Sequence, residues 1–130
     1  MAITIVRLGT PKAPGEGSRL GTVRRPPRGV RKADIARLQY YDVWLPELSP
    51  SAALVSSAMA SDWTPASWQW FTRRYLREMR TPQVQHLLAT LAALSHQTNF
   101  SVGCYCEHEE RCHRSVLRRL LTEAGAVIDR

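Results

Sequence analysis

Short apolar runs alternate along this chain with longer segments in which apolar residues recur every three or four positions. The run from Ile3 to Leu8 is rich in β-branched residues and stops at a Gly-Thr-Pro break, which predicts a buried first strand. Similar but shorter runs predict strands over residues 20–24, 40–45, 100–106 and 126–128. Apolar strands that alternate with helical segments indicate an α/β protein with a mostly parallel sheet covered on both faces.

The helical segments begin at recognisable start signals. Thr64-Pro65 and Thr81-Pro82 each place a capping hydroxyl before a proline, which needs no hydrogen-bond donor at the first helical position. Ser49 or Ser51 can cap an earlier helix that ends near Met59, and a last amphipathic helix ends at Gly125. After Thr64, aromatic and apolar residues follow helical spacing, and we interpret this stripe as core: Trp68, Phe71, Tyr75 and Met79.

The basic residues are concentrated in the first third of the chain. Residues 1–38 hold nine basic and two acidic groups, whereas residues 39–130 hold nine of each, so the net charge of +7 belongs to the N-terminal third. Pro26 and Pro27 hold Arg24 and Arg28 on a stiff, non-helical loop. This distribution indicates a partner that carries phosphate or another polyanion, although a solubilising surface would have the same composition.

The length of 130 residues suits one domain over residues 1–130. No run approaches the roughly 18 to 20 apolar residues that span a bilayer, and the first residues lack the features of a secretion signal. Three cysteines within nine residues do not suit a disulfide framework but do suit a reducing compartment. We therefore expect a cytoplasmic protein without a membrane segment.

The segment from Cys104 to Arg114 carries most of the candidate chemistry. It follows a predicted strand and opens a predicted helix, where free N–H groups and a partial positive charge favour an anion. Arg111 and Arg114 flank that helix start, and arginine is a bidentate donor to phosphate or carboxylate. The segment thus has the outline of an anion-binding site.

Several motifs together resemble the uncharacterised family called domain of unknown function 488 (DUF488). They lie within residues 20–122 and comprise Arg24, Pro27-Arg28-Gly29-Val30, Asp42-Val43-Trp44-Leu45, the stretch Trp70 to Tyr75, and Cys-Tyr-Cys followed by Cys-His-Arg-Ser. Pro26 stands where members commonly carry tryptophan. The resemblance implies a three-layer α/β sandwich with a short parallel sheet. It implies no established activity, but it supports the following positions of interest: Arg24, Arg28, Cys104, Cys106, Cys112, His113 and Arg114.

The cysteines admit more than one chemical interpretation. Cys104 and Cys106 lie on the same side of an extended segment, and with Cys112 and His113 they supply the ligand types of tetrahedral zinc. Zinc is not favoured, because usual zinc motifs separate paired ligands by two to four residues, and we expect no stoichiometric zinc. A nucleophilic or redox thiol near a helix start and cations is an alternative, and buried structural cysteines are another.

Our leading hypothesis is a phosphate- or nucleotide-binding site formed by Arg24, Arg28, His113 and Arg114, with Cys104, Cys106 and Cys112 as candidate thiol or metal-binding residues. A nucleic-acid accessory module is the second hypothesis, and a metal-binding or thiol-redox protein is the third. The sequence identifies neither a substrate nor a reaction, and it assigns no catalytic residue and no protein partner.

Overall fold

The computed structural model of the protein describes residues 1–129 and contains one five-stranded parallel sheet. The strands are β1 (Ile3–Arg7), β2 (Ser18–Gly21), β3 (Val43–Trp44), β4 (Phe100–Cys104) and β5 (Ile128–Asp129), in the spatial order β3-β2-β4-β1-β5. Each neighbouring pair is parallel. The α/β class and the short parallel sheet that the sequence predicted are confirmed.

Four helices accompany the sheet: α1 (Ala52–Met59), α2 (Pro65–Glu78), α3 (Pro82–Leu94) and α4 (His113–Glu123). The predicted start signals are confirmed, since the side chains of Ser51, Thr64 and Thr81 accept hydrogen bonds from backbone N–H groups in the first turns of α1, α2 and α3. Each bond satisfies one of the donors that a helix start leaves without a partner. No helix within residues 1–129 combines the length and the apolar character needed to cross a bilayer.

The main hydrophobic core lies between the helices and one face of the sheet. Ile3, Phe100 and Val102 contribute from the central strands, and all four helices contribute apolar side chains to the same cluster. The aromatic stripe of α2 is part of this core, as the sequence predicted: Phe71 and Tyr75 are buried, and Trp68 packs against them. The apolar side chains of the helices therefore pack on β1 and β4 and stabilise both strands.

Loops and short 3-10 turns cover the opposite face of the sheet. A second hydrophobic cluster lies there and includes Leu8, Val23, Ile35 and Tyr41. Arg19 of β2 points into this layer and pairs with Glu16, and both side chains are almost fully buried. β2 covers Ser18–Gly21 rather than the predicted residues 20–24, and the prediction missed Arg19 because an apolar pattern gives no signal for an inward-facing arginine.

The carboxyl ends of the central strands meet at one edge of the sheet. Arg7 at the end of β1 pairs with Cys104 at the end of β4, and the backbone N–H of Leu8 donates to Cys104 O at 2.8 Å. Beyond β2, the N–H of Thr22 donates to Gly103 O at 3.0 Å. Ligands of open parallel sheets bind at such an edge, and the motifs singled out in the sequence converge there.

Candidate functional site

Three thiol groups form a cluster at the carboxyl end of β4. The Sγ atoms of Cys104, Cys106 and Cys112 all lie within 4.8 Å of one another. Cys104 and Cys112 are buried, with their Sγ atoms 2.7 Å apart, whereas Cys106 is exposed to solvent. The arrangement brings together the candidate thiol or metal-binding residues predicted from the sequence.

Local structure places each sulfur. Cys104 is the last residue of β4, and the chain turns immediately afterwards, so that the N–H of Cys106 donates to Cys104 Sγ at 3.4 Å. A 3-10 turn over Glu109–Arg111 then returns the chain to Cys112, which has extended backbone and precedes the first residue of α4. Arg118 of α4 holds the turn through two hydrogen bonds to the carboxylate of Glu109, at 2.7 and 2.9 Å.

His113 links the cluster to β2. Its Nε2 lies 2.8 Å from Thr22 O, and its Nδ1 lies 3.7 Å from Cys112 Sγ. Because a carbonyl can only accept, Nε2 carries the proton and Nδ1 presents its lone pair toward the sulfur. The ring is buried, with one edge against Tyr75, and burial lowers the pKa of His113 to about 4. His113 is therefore neutral at physiological pH.

Arg114 lies beside the thiols and is 4 % exposed. Its Nη2 donates to Cys106 O at 2.6 Å, while its Nε is buried and has no hydrogen-bond partner within residues 1–129. In the part of the chain that the structure describes, no carboxylate forms an ion pair with Arg114. A buried guanidinium needs a nearby negative charge, and the sulfurs are the groups placed to provide it.

The environments of the three thiols differ in a way that favours one of them as thiolate. Hydrogen bonds from Cys104 and Cys112 hold the pKa of Cys106 well below its ordinary range, and the charge of Arg114 acts in the same direction. The hydrogen bonds with Cys106 and Cys112, together with burial, raise the pKa of Cys104. Burial acts to lower the pKa of Arg114, but the neighbouring cysteine sulfurs raise it above its ordinary value. The exposed sulfur thus carries the negative charge most readily.

An open cleft of about 480 Å³ adjoins the cluster on the side of Tyr105. Two arginines and two tyrosines supply its polar and aromatic groups, namely Arg7, Arg28, Tyr40 and Tyr105, and residues 8–10 with Pro27 complete the lining. We call this the arginine cleft. Arg7 Nε donates to Tyr105 O at 3.2 Å, and the Tyr105 hydroxyl donates to Arg25 O at 2.9 Å. These bonds attach the cleft wall to the backbone of the cysteine segment.

The four arginine and histidine residues proposed from the sequence occupy different environments. Arg28 is exposed in the arginine cleft. Arg24 donates to the backbone carbonyls of Pro46, Ser49 and Pro50. These hydrogen bonds fix the segment before α1 against the loop that carries Arg24. His113 and Arg114 are buried beside the thiols. Their joint role in binding an anion stays a prediction.

Three residues of the arginine cleft were missed in the sequence: Arg7, Tyr40 and Tyr105. Arg7 could have been found, because a charged residue at the end of an apolar strand lies at the edge where ligands bind. Tyr105 lies between two singled-out cysteines and could have been included with them. Tyr40 comes from a loop that only the folded chain brings alongside Tyr105, with the ring centroids 6.2 Å apart.

The fold and the site define a small α/β protein with a thiol cluster and a basic cleft at the carboxyl edge of a parallel sheet. The family model described as the active DUF488-N3 subclade matches residues 3–125. The chain therefore belongs to the DUF488 family, as its motifs predicted. Comparisons with curated proteins and with solved structures found no significant match.

Proposed function

We propose that the protein binds a phosphate-bearing ligand of mononucleotide size in the arginine cleft, next to the cysteine segment. The observation that carries this proposal is the convergence of Arg7, Arg28, Tyr40 and Tyr105 on one open cleft of about 480 Å³. Small-molecule sites occupy roughly 300 to 1,000 Å³ and lie preferentially at the carboxyl edge of parallel sheets. The volume and the position of the cleft both meet this expectation.

The side chains of the cleft supply two kinds of recognition. A guanidinium has five N–H donors, so the bond from Arg7 to Tyr105 O leaves four donors for an anion while it orients the group. Arg28 adds a second guanidinium on the opposite segment. The rings of Tyr40 and Tyr105 offer surfaces on which a planar base stacks. Phosphate and base recognition together favour a nucleotide over inorganic phosphate.

A nucleic-acid accessory role is the second candidate. The excess of seven positive charges in residues 1–38 supports it, because phosphate neutralisation by lysine and arginine dominates such binding. The nucleotide-sized volume of the arginine cleft, about 480 Å³, favours the small ligand. The two buried free thiols suit a reducing compartment, and we propose a cytosolic location on that basis.

The test is a calorimetric titration of the parent protein and two matched variants with AMP. Arg28→Gln removes a cleft guanidinium, whereas Arg73→Gln removes an exposed one from α2, outside the cleft lining. Loss of a charge-assisted hydrogen bond costs roughly 1.5 to 3 kcal/mol, so Arg28→Gln should weaken AMP binding more than tenfold. Arg73→Gln should bind as the parent does.

Two outcomes would overturn the proposal: no AMP binding by the parent, or equal affinities in all three proteins. The same titrations with inorganic phosphate and with a short single-stranded oligonucleotide separate the alternatives. Tight oligonucleotide binding that weakens equally in both variants and falls steeply with salt would support the accessory role instead.

A further inference from the structure

The thiol cluster has a composition and a geometry that ligand binding in the arginine cleft does not require. Its three sulfurs come from the end of β4, from the turn after it and from the residue before α4. Three chain positions with different backbone directions thus converge on a volume only a few ångströms across. Cys106 opens that volume to solvent while Cys104 and Cys112 form its buried side.

We propose that Cys104, Cys106 and Cys112 bind one Zn²⁺ ion through three thiolates, and that each cysteine still protonated releases its thiol proton to solvent. Zinc–sulfur bonds of about 2.3 Å in a tetrahedral site place sulfurs about 3.8 Å apart. The observed separations, all within 4.8 Å, bracket that value. Cys104 and Cys112, 2.7 Å apart, must part by about 1 Å, a distance within reach of a small side-chain rotation at Cys112, which lies between the 3-10 turn and the first residue of α4.

The charge around the cluster fits a divalent ion. Three thiolates and one Zn²⁺ leave a single negative charge, and Arg114 provides one positive charge at the same place. Arg114 is buried with its Nε unpartnered within residues 1–129, which is costly unless an anionic group lies beside it. A thiolate–zinc complex satisfies this requirement permanently.

His113 lies against the Cys112 side of the proposed site, outside the group of three sulfurs that lie within 4.8 Å of one another. Thr22 O holds the proton on Nε2, so that Nδ1 faces Cys112 Sγ with its lone pair at 3.7 Å. Nitrogen and sulfur ligands of one tetrahedral zinc ion lie about 3.5 Å apart, given bonds of about 2.0 and 2.3 Å, so the separation from Cys112 suits a zinc ligand and a shift of the ring toward the other two sulfurs would complete the site. The same hydrogen bond to a backbone carbonyl is what orients histidines that bind metals.

Spacing along the chain argued against zinc, because a Cys-x-Cys pair and an adjacent Cys-His pair do not form a knuckle. The fold removes that objection. The ligands are supplied by a strand end and a helix start rather than by a knuckle, and the 3-10 turn over Glu109–Arg111 spans the distance between them. The proposal does not depend on the ligand of the arginine cleft.

Cobalt is a spectroscopic probe for this site, since thiolate-to-cobalt charge transfer absorbs strongly. Reduced, chelator-treated full-length protein is titrated with Co²⁺ and then with Zn²⁺. We expect one equivalent of cobalt to produce the charge-transfer band and zinc to abolish it. Cys106→Ser, at an exposed position, should lower the cobalt affinity at least tenfold. His108→Ala is the control, because His108 is an exposed residue that can bind metals but lies outside the cluster, and this variant should bind cobalt as the parent does.

A second measurement keeps the proposal testable if a variant fails to fold. Thiols of the parent protein are counted with a thiol-reactive dye, and zinc should protect all three of them. Absence of the charge-transfer band, equal cobalt affinity in the parent and Cys106→Ser, or a Cys104–Cys112 disulfide that persists after reduction would each overturn the proposal. Loss of AMP binding in Arg28→Gln tests the cleft alone and leaves this result unaffected.

Discussion

The buried ion pair between Glu16 and Arg19 supports the loops that form the arginine cleft. Arg19 Nε lies 2.6 Å from Glu16 Oε2, and the two side chains are 1 % and 2 % exposed. Arg19 Nη1 also donates to the carbonyls of Thr10 and Gln39, both at 2.7 Å. Thr10 lines the cleft and Gln39 precedes Tyr40, which also lines it. The pair therefore determines the shape of the candidate site as well as stability.

Glu16→Gln keeps the shape of the side chain and removes its charge, so that the Arg19 guanidinium stays buried without its counter-ion. Removing one partner of a buried ion pair typically costs about 3 to 5 kcal/mol of unfolding free energy. Glu123→Gln is the matched control, because it removes the charge from an exposed ion pair. In that pair the side chain of Arg119 is 62 % exposed and that of Glu123 is 59 % exposed. Exposed pairs contribute less than about 1 kcal/mol.

The same ion pair also predicts how the unfolding free energy depends on pH. Burial raises the pKa of Glu16, but hydrogen bonds from Arg19, Ser101 and the Ala13 N–H lower it by more, so its pKa lies below the ordinary value of 4.5. A folded-state pKa below the unfolded value means that the ionised carboxylate stabilises the fold above the unfolded pKa. This stabilisation is lost as the pH falls through the folded pKa. The difference between the parent and Glu16→Gln should therefore shrink toward acid.

Urea unfolding of the parent, Glu16→Gln and Glu123→Gln, at pH values from about 7 to about 3, measures both effects. An unchanged urea dependence of the free energy would show that the variants unfold from comparable structures. A loss below about 1 kcal/mol in Glu16→Gln at neutral pH, no larger than in Glu123→Gln, would refute the reasoning. So would a difference between the parent and Glu16→Gln that grows as the pH is lowered.

Three further predictions concern the site, the sheet and a helix start. Iodoacetamide should modify exposed Cys106 of the metal-free protein before the two buried thiols, and peptide mass spectrometry checks the order. Gly103→Ala should destabilise the protein by about 2 kcal/mol or more in urea unfolding, because a Cβ atom there would lie 2.6 Å from Val6 O on the neighbouring strand. Thr64→Ala should cost about 1 kcal/mol, since the hydroxyl accepts from the N–H of Ser67, whereas Thr64→Ser should restore the parent's melting temperature.

Local sequence determined the helix starts and the first and fourth strands. A capping hydroxyl before Pro65 or Pro82 acts within one turn of the chain, so its consequence can be predicted without knowledge of the fold. The apolar runs of β1 and β4 likewise report burial on both faces of a central strand. The α/β class and the family follow from these local signals and from the motifs.

Only the tertiary structure decided which distant residues form the sites. Cys112 reaches the end of β4 because the 3-10 turn reverses the chain, and no spacing rule encodes that path. The strand order places the end of β4, and with it Tyr105, next to Arg7, and the Gly9 N–H donates to Gln39 O at 3.0 Å, which brings Tyr40 to the same cleft. Strand order depends on the combined burial of all the elements. A local pattern carries no record of that sum, which is why the sequence indicated the chemical groups but not their assembly.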